Sequence, residues 1–83
     1  MSQISLETKT VLSPEKVILR AETYFCDEYG LEVTERSDCC IRLEGGGGYV
    51  AISAKSEGHL TDVNLEGREW TFELERFMQN IVY

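Results

Sequence analysis

Leu43-Glu44-Gly45-Gly46-Gly47-Gly48-Tyr49-Val50, LEGGGGYV, lies in the middle of the chain, and the fold turns on how it is read. A run of four glycines suits a phosphate cradle, a slack loop or a sharp bend in a sheet. A phosphate cradle works because backbone N–H groups converge on the anion at a helix N-terminus, often with a lysine following. Here no lysine follows until Lys55, and both flanks alternate instead of opening a helix. On one side Cys39, Ile41 and Leu43 oppose Cys40, Arg42 and Glu44. On the other side Val50, Ile52 and Ala54 oppose Tyr49, Ala51, Ser53 and Lys55. A period of two marks half-buried strands, so the glycines are predicted to form a hairpin between Cys39–Leu43 and Tyr49–Ala54. Two glycines suffice for a tight turn with positive φ. The others, lacking side chains, leave a packing notch over which Trp70 is the candidate to lie.

The same reading extends in both directions. Towards the N-terminus, Ile4, Leu6 and Thr8 alternate with Ser5, Glu7 and Lys9, a strand over about residues 3–9. Ser13-Pro14-Glu15 then carries a helix start: a capping hydroxyl, a proline at the first helical position and an acid suited to the helix dipole. Val17, Ile18, Ala21, Tyr24 and Phe25 follow at helical spacing, with Glu28 or Tyr29 continuing the stripe, and Gly30 closes the helix. Leu31 and Val33 oppose Glu32 and Thr34 in the next strand, which turns at Ser37-Asp38. Beyond the glycine hairpin, Glu57-Gly58 turns the chain into a strand in which Thr61, Val63 and Leu65 alternate with Asp62, Asn64 and Glu66. Gly67 breaks that pattern. Trp70, Leu74, Phe77 and Ile81, joined by Met78, then define an amphipathic helix over about residues 68–82.

The expected fold is therefore α+β, ordered β-α-β-β-β-β-α, with one curved antiparallel sheet and two helices covering one face. In this order of elements the chain resembles the repeats of TATA-binding protein and the helix-grip (START and birch-allergen-like) proteins. The resemblance covers nearly the whole chain but lies in topology alone. The basic, aromatic underside of the DNA binders and the length behind a roomy helix-grip cavity have no counterpart here, so fold analogy transfers no function.

Composition narrows the function classes. At 83 residues the chain reads as one domain, residues 1–83, burying about 60–65% of the surface its unfolded form exposes. Fifteen acids against eight bases leave a formal charge of -7, with no Lys/Arg run. Such a surface repels phosphate backbones, so no nucleic-acid partner is expected. Apolar runs such as Val17-Ile18-Leu19 are too short to span a bilayer, and Met1-Ser2-Gln3-Ile4 lacks the features of a secretion leader. Three cysteines, Cys26, Cys39 and Cys40, make no disulfide framework. They fit reduced thiols and a cytoplasmic location.

No chemistry-bearing constellation stands out. Cys39 and Cys40, adjacent on a strand, should point to opposite faces, with Cys39 in the core and Cys40 outward, which does not suit a metal pair. His59 follows Gly58 in a turn and reads as an exposed turn residue, although a Cys/His dyad has the residues it would need. The acids lie mostly off the apolar stripes and read as a solvated surface. No cofactor or metal is expected, and enzymatic activity is the least favoured of three readings.

The first reading is a non-enzymatic interaction module, a homodimer or a binder of another protein, using apolar surface left over from the main stripes. Its candidate residues are Cys40 and Tyr49 on the outer sheet face and Phe72 and Tyr83 on a second face of the last helix. The second is a helix-grip module holding a small apolar ligand between the sheet and the last helix. Tyr24, Ile52, Val63, Trp70 and Phe77 would line that space, and Thr61 and Cys39 would supply polar contacts. The third is an enzyme whose reaction the residues do not indicate.

Overall fold

In a computed structural model of the chain, residues 3–82 are described. Strand β1 (Gln3–Thr10) leads to helix α1 (Pro14–Glu22). Four strands follow, β2 (Glu32–Arg36), β3 (Cys40–Gly45), β4 (Gly48–Glu57) and β5 (Leu60–Arg68), and α2 (Thr71–Ile81) closes the order. The strands form one open antiparallel sheet in the spatial order β1-β5-β4-β3-β2, so β1 and β2 are its two edges. The fold is thus α+β in the expected order, with both helices packed on one face: α1 over β3 and β4, α2 over β1 and β5.

Local chemistry explains each boundary. Ser13 caps α1 by accepting the Lys16 N–H at 3.3 Å, and Pro14 takes the first helical position. Val17, Ile18 and Ala21 face the sheet and are fully buried. After Glu22 the helix widens into a π-helical stretch, Thr23–Asp27. Gly30, at φ +75°, ends it, with the Leu31 N–H reaching back to the Phe25 carbonyl at 3.1 Å. The Gly30 N–H also bonds the Cys26 carbonyl at 3.0 Å, the 5→1 bond of an αL stop.

The glycine run forms the predicted hairpin. Gly45 pairs with Gly48, while Gly46 and Gly47 form a two-residue turn at φ +60° and +84°. A turn with two positive φ angles has a twist that matches the strands it joins. The notch is present as well. The Trp70 indole rests on Gly46, where an added Cβ would come within 2.8 Å of Cζ2. Its Nε1–H donates to the Gly45 carbonyl at 2.9 Å.

Two further glycines allow close approach. A Cβ at Gly67 would collide with the Leu74 side chain, and one at Gly48 with the Arg68 carbonyl. Gly67 is therefore no breaker: β5 continues through it to Arg68, and the chain bends at Glu69, whose φ is +72°. The last helix consequently starts at Thr71, later than the spacing suggested.

Alternation places Ile41, Leu43, Val50, Ile52, Ala54, Val63 and Leu65 beneath the helices in one core cluster with Phe25, Leu74, Phe77 and Ile81. Burial of each large side chain contributes about 1.5–3 kcal/mol.

Strand β2 runs up to the expected turn, ending at Arg36, and a bulge between Val33 and Glu35 absorbs Thr34. Arg36 is thereby turned to the helix face, where it pairs with Glu22 of α1. One expectation near β2 is corrected. Cys39 is not in the core but exposed, because β3 begins one residue later, at Cys40. Cys39 lies in the turn, its carbonyl accepts the Ala54 N–H at 2.8 Å, and its sulfur is bonded to that of Cys40. The expected set of free thiols reduces here to Cys26.

Gly48→Ala sets a methyl group against backbone and should cost about 3 kcal/mol, whereas Gly67→Ala meets a side chain able to turn and should cost about 1 kcal/mol. Urea unfolding of the two variants against the parent chain measures both, and equal costs would contradict the packing described.

Candidate functional site

The two helices meet along an aromatic seam. Tyr24 touches Phe25, Tyr29 and Phe77 with ring centroids 5.0, 5.4 and 5.5 Å apart, and Tyr29 reaches Trp70 at 5.7 Å. The π-helical stretch makes this possible. Its i→i+5 spacing brings Tyr24 and Tyr29 together, their hydroxyls 3.4 Å apart. Burial, then the Tyr29 hydroxyl, pushes the Tyr24 phenol up to about 12.

Of the five residues expected to line a ligand space, Ile52, Val63 and Phe77 are packed into the core at 2% exposure or less. Tyr24 and Trp70 are half-buried at its rim. Tyr24 and Phe77 also share a groove of about 450 Å³, which opens between the helices rather than beneath α2, with Leu19 and Ile81 as further apolar walls. Thr61 is buried opposite Thr10, and Cys39 lies in the β2–β3 turn, so neither shares this groove.

The outer sheet face is a separate surface. Cys40 and Tyr49 both lie on it, joined by Ala51 and Ser53, which alternate along β4. Small side chains at Ser5, Ala51 and Ser53 leave a shallow hollow of about 510 Å³. Tyr49 is held firmly there. Its hydroxyl donates to Glu66 at 3.1 Å, Gln3 donates to the same carboxylate at 2.7 Å, and the Arg42 guanidinium sits 4.3 Å from its ring centroid. Desolvation and the Glu66 carboxylate both push the Tyr49 phenol up from its usual range.

Phe72 projects from the opposite side of the molecule, 60% exposed, with Arg76 against its ring. The four candidate interface residues therefore do not form one patch. Cys40 and Tyr49 share the sheet face, Phe72 stands alone on α2, and Tyr83 lies outside the described residues.

The third surface is the β1 edge, which the sequence reading did not single out because alternation identifies strands and not their neighbours. Among the described residues β1 is bonded on one side only, to β5, through an unbroken register from Gln3↔Arg68 to Thr10↔Thr61. Ile4 and Leu6 on its inner face are half-buried. Met78 lies about 100° around α2 from Phe77, on the flank away from α1 and towards this edge. Val11, just past the strand, is 65% exposed.

Among the described residues, no three His, Cys, Asp or Glu side chains gather in an arrangement suited to a metal ion. His59 is exposed in its turn, and Cys26 is half-buried on the helix with its thiol pushed up by burial and by Glu22 and Asp27. No helix among the described residues is long and apolar enough to cross a membrane. No protein-family model matches the chain, and no curated protein shows significant sequence similarity to it.

The raised Tyr24 phenol has a defined consequence for stability. Unfolded tyrosine ionises near pH 10. The neutral phenol's contribution is therefore complete below that pH and is lost as pH rises towards 12, because the unfolded chain releases the proton first. Phenolate absorbance should show a step near pH 12 that Tyr24→Phe removes, and an unchanged titration in that variant would contradict the seam.

Proposed function

We propose that this chain is a non-enzymatic interaction module that associates with a second copy of itself. The observation that carries the reading is the open β1 edge, flanked by half-buried Ile4, Leu6 and Met78, on a domain most of whose large apolar side chains fill the core. An unpaired edge strand offers a row of backbone donors and acceptors that another strand can satisfy, and the apolar flank gains from being covered. The ionisable side chains among the described residues, by contrast, are mostly spread over exposed faces.

The resemblance in element order to TATA-binding-protein repeats and helix-grip proteins stands beside this reading as analogy of fold. The acidic surface, with its formal charge of -7, favours a protein partner over a nucleic acid. The cytoplasmic location belongs to the same proposal.

A second reading, a small apolar ligand, is favoured by the groove between the helices walled by Leu19, Tyr24, Phe77 and Ile81. Here the ligand would lie between α1 and α2.

Native mass spectrometry over a range of protein concentrations separates the two readings. Self-association gives a species of twice the 9.5 kDa chain that grows with concentration. A ligand module gives a monomer carrying extra mass. A clean monomer at the highest concentration contradicts both.

A further inference from the structure

The two edges of the sheet differ in a way that bears on partner choice. β2 has five residues, is interrupted by a bulge and exposes Glu32 and Glu35. Short length, bulges and charge are the features by which edge strands avoid pairing with another chain. β1 has eight residues, no proline and no bulge in its ladder to β5. β1 also exposes charges, Glu7 and Lys9, but they are of opposite sign and so repel a second β1 only in registers that set like against like.

We propose that β1 pairs antiparallel with β1 of a second copy about a two-fold axis through Thr8, continuing the sheet from one chain into the next. This rests on the self-association reading and specifies its geometry.

The register follows from faces and charges. A two-fold axis perpendicular to the sheet keeps the helices of both chains on one side. Residues directly opposite in an antiparallel pair share a face, so odd positions meet odd and even meet even. Glu7 and Lys9 lie on the outer face, Leu6, Thr8 and Thr10 on the inner. An axis through Glu7 would set the two Glu7 carboxylates against each other, which is unfavourable. An axis through Thr8 sets Glu7 opposite the partner's Lys9, twice by symmetry. Directly opposite side chains have Cβ atoms about 4.5–5.5 Å apart, within reach of an ion pair. Lys9 already pairs with Asp62 of its own chain, and an ammonium has three donors, so it can serve both carboxylates. On the inner face this register sets Leu6 against the partner's Thr10. Extended past the strand, it brings Ile4 towards the partner's Leu12 and covers the exposed Val11.

Charge exchange across the axis tests the register. Glu7→Lys and Lys9→Glu are made separately and compared with the parent chain by sedimentation, alone and as an equimolar mixture, with circular dichroism confirming folding. Each variant alone should dimerise about tenfold more weakly, since two attractive pairs become two repulsive ones. The mixture should recover the parental affinity, because opposite charges again face each other in the mixed dimer. Net charge alone would act the other way for Glu7→Lys, which makes the chain less negative. A Glu7→Lys chain that dimerises as well as the parent overturns the register and leaves self-association standing. A strictly monomeric parent chain removes self-association itself. If Lys9→Glu does not fold for want of its Asp62 pair, Thr8→Cys decides the register: a cross-linked dimer on a non-reducing gel, beyond that of the parent chain, is expected, and its absence overturns the proposal.

Discussion

The contact between Trp70 and the glycine hairpin is the constraint on which the rest of the structure depends. The indole lies on the bare backbone of Gly46 and donates its N–H to the Gly45 carbonyl at 2.9 Å. One turn later Leu74 descends onto Gly67, where no side chain intervenes. Together these fix where α2 begins and how closely it approaches β5. An indole buried without a partner for its N–H would cost about 1–3 kcal/mol, so the ring seats only where a carbonyl is offered. The glycines therefore act from both sides: they turn the chain, and they leave the surface on which the last helix is seated.

From that seat the division of labour in the molecule follows. α2 covers β1 and β5, α1 covers β3 and β4, and the aromatic seam of Tyr24, Phe25, Tyr29, Trp70 and Phe77 locks the helices to each other. A domain of this length needs nearly all of its apolar side chains for that task. What remains for recognition is peripheral: a strand edge, a groove between helices and a polar sheet face. On the sheet face Tyr49 and Gln3 both donate to Glu66, which leaves less to be gained there than at the edge, where a whole row of backbone groups faces outward.

Much of the fold was legible because it depends on periodicity and turn chemistry. The alternation around Leu43–Val50, the Ser13-Pro14 helix start and the Trp70-Leu74-Phe77-Ile81 stripe all describe elements the chain adopts. The misreadings share a physical cause: a local signal was outweighed by contacts distant in sequence. Gly67 looked like a breaker, yet its missing side chain serves Leu74 and the bend falls on Glu69. Cys39 continued an alternation that the chain leaves one residue early. The bulge at Thr34 and the π-helical turn each change which residues face inward, and neither has a signature in hydrophobic pattern alone. The candidate site was less legible still. Cys40, Tyr49 and Phe72 are outward-facing, as their spacing implies, but the sheet order that parts them and leaves β1 open is a property of the assembled strands.

The seat of α2 can be read directly from Trp70, the only tryptophan in the chain. Hydrogen exchange at its indole N–H, followed by nuclear magnetic resonance under native conditions, reports whether the bond to Gly45 opens separately from the fold. A proton protected to the same degree as the amides of α2 and of the β3–β4 hairpin is the expected result. Exchange at the rate of free indole while those amides stay protected would contradict the account, because the helix would then hold its place without the contact assigned to it.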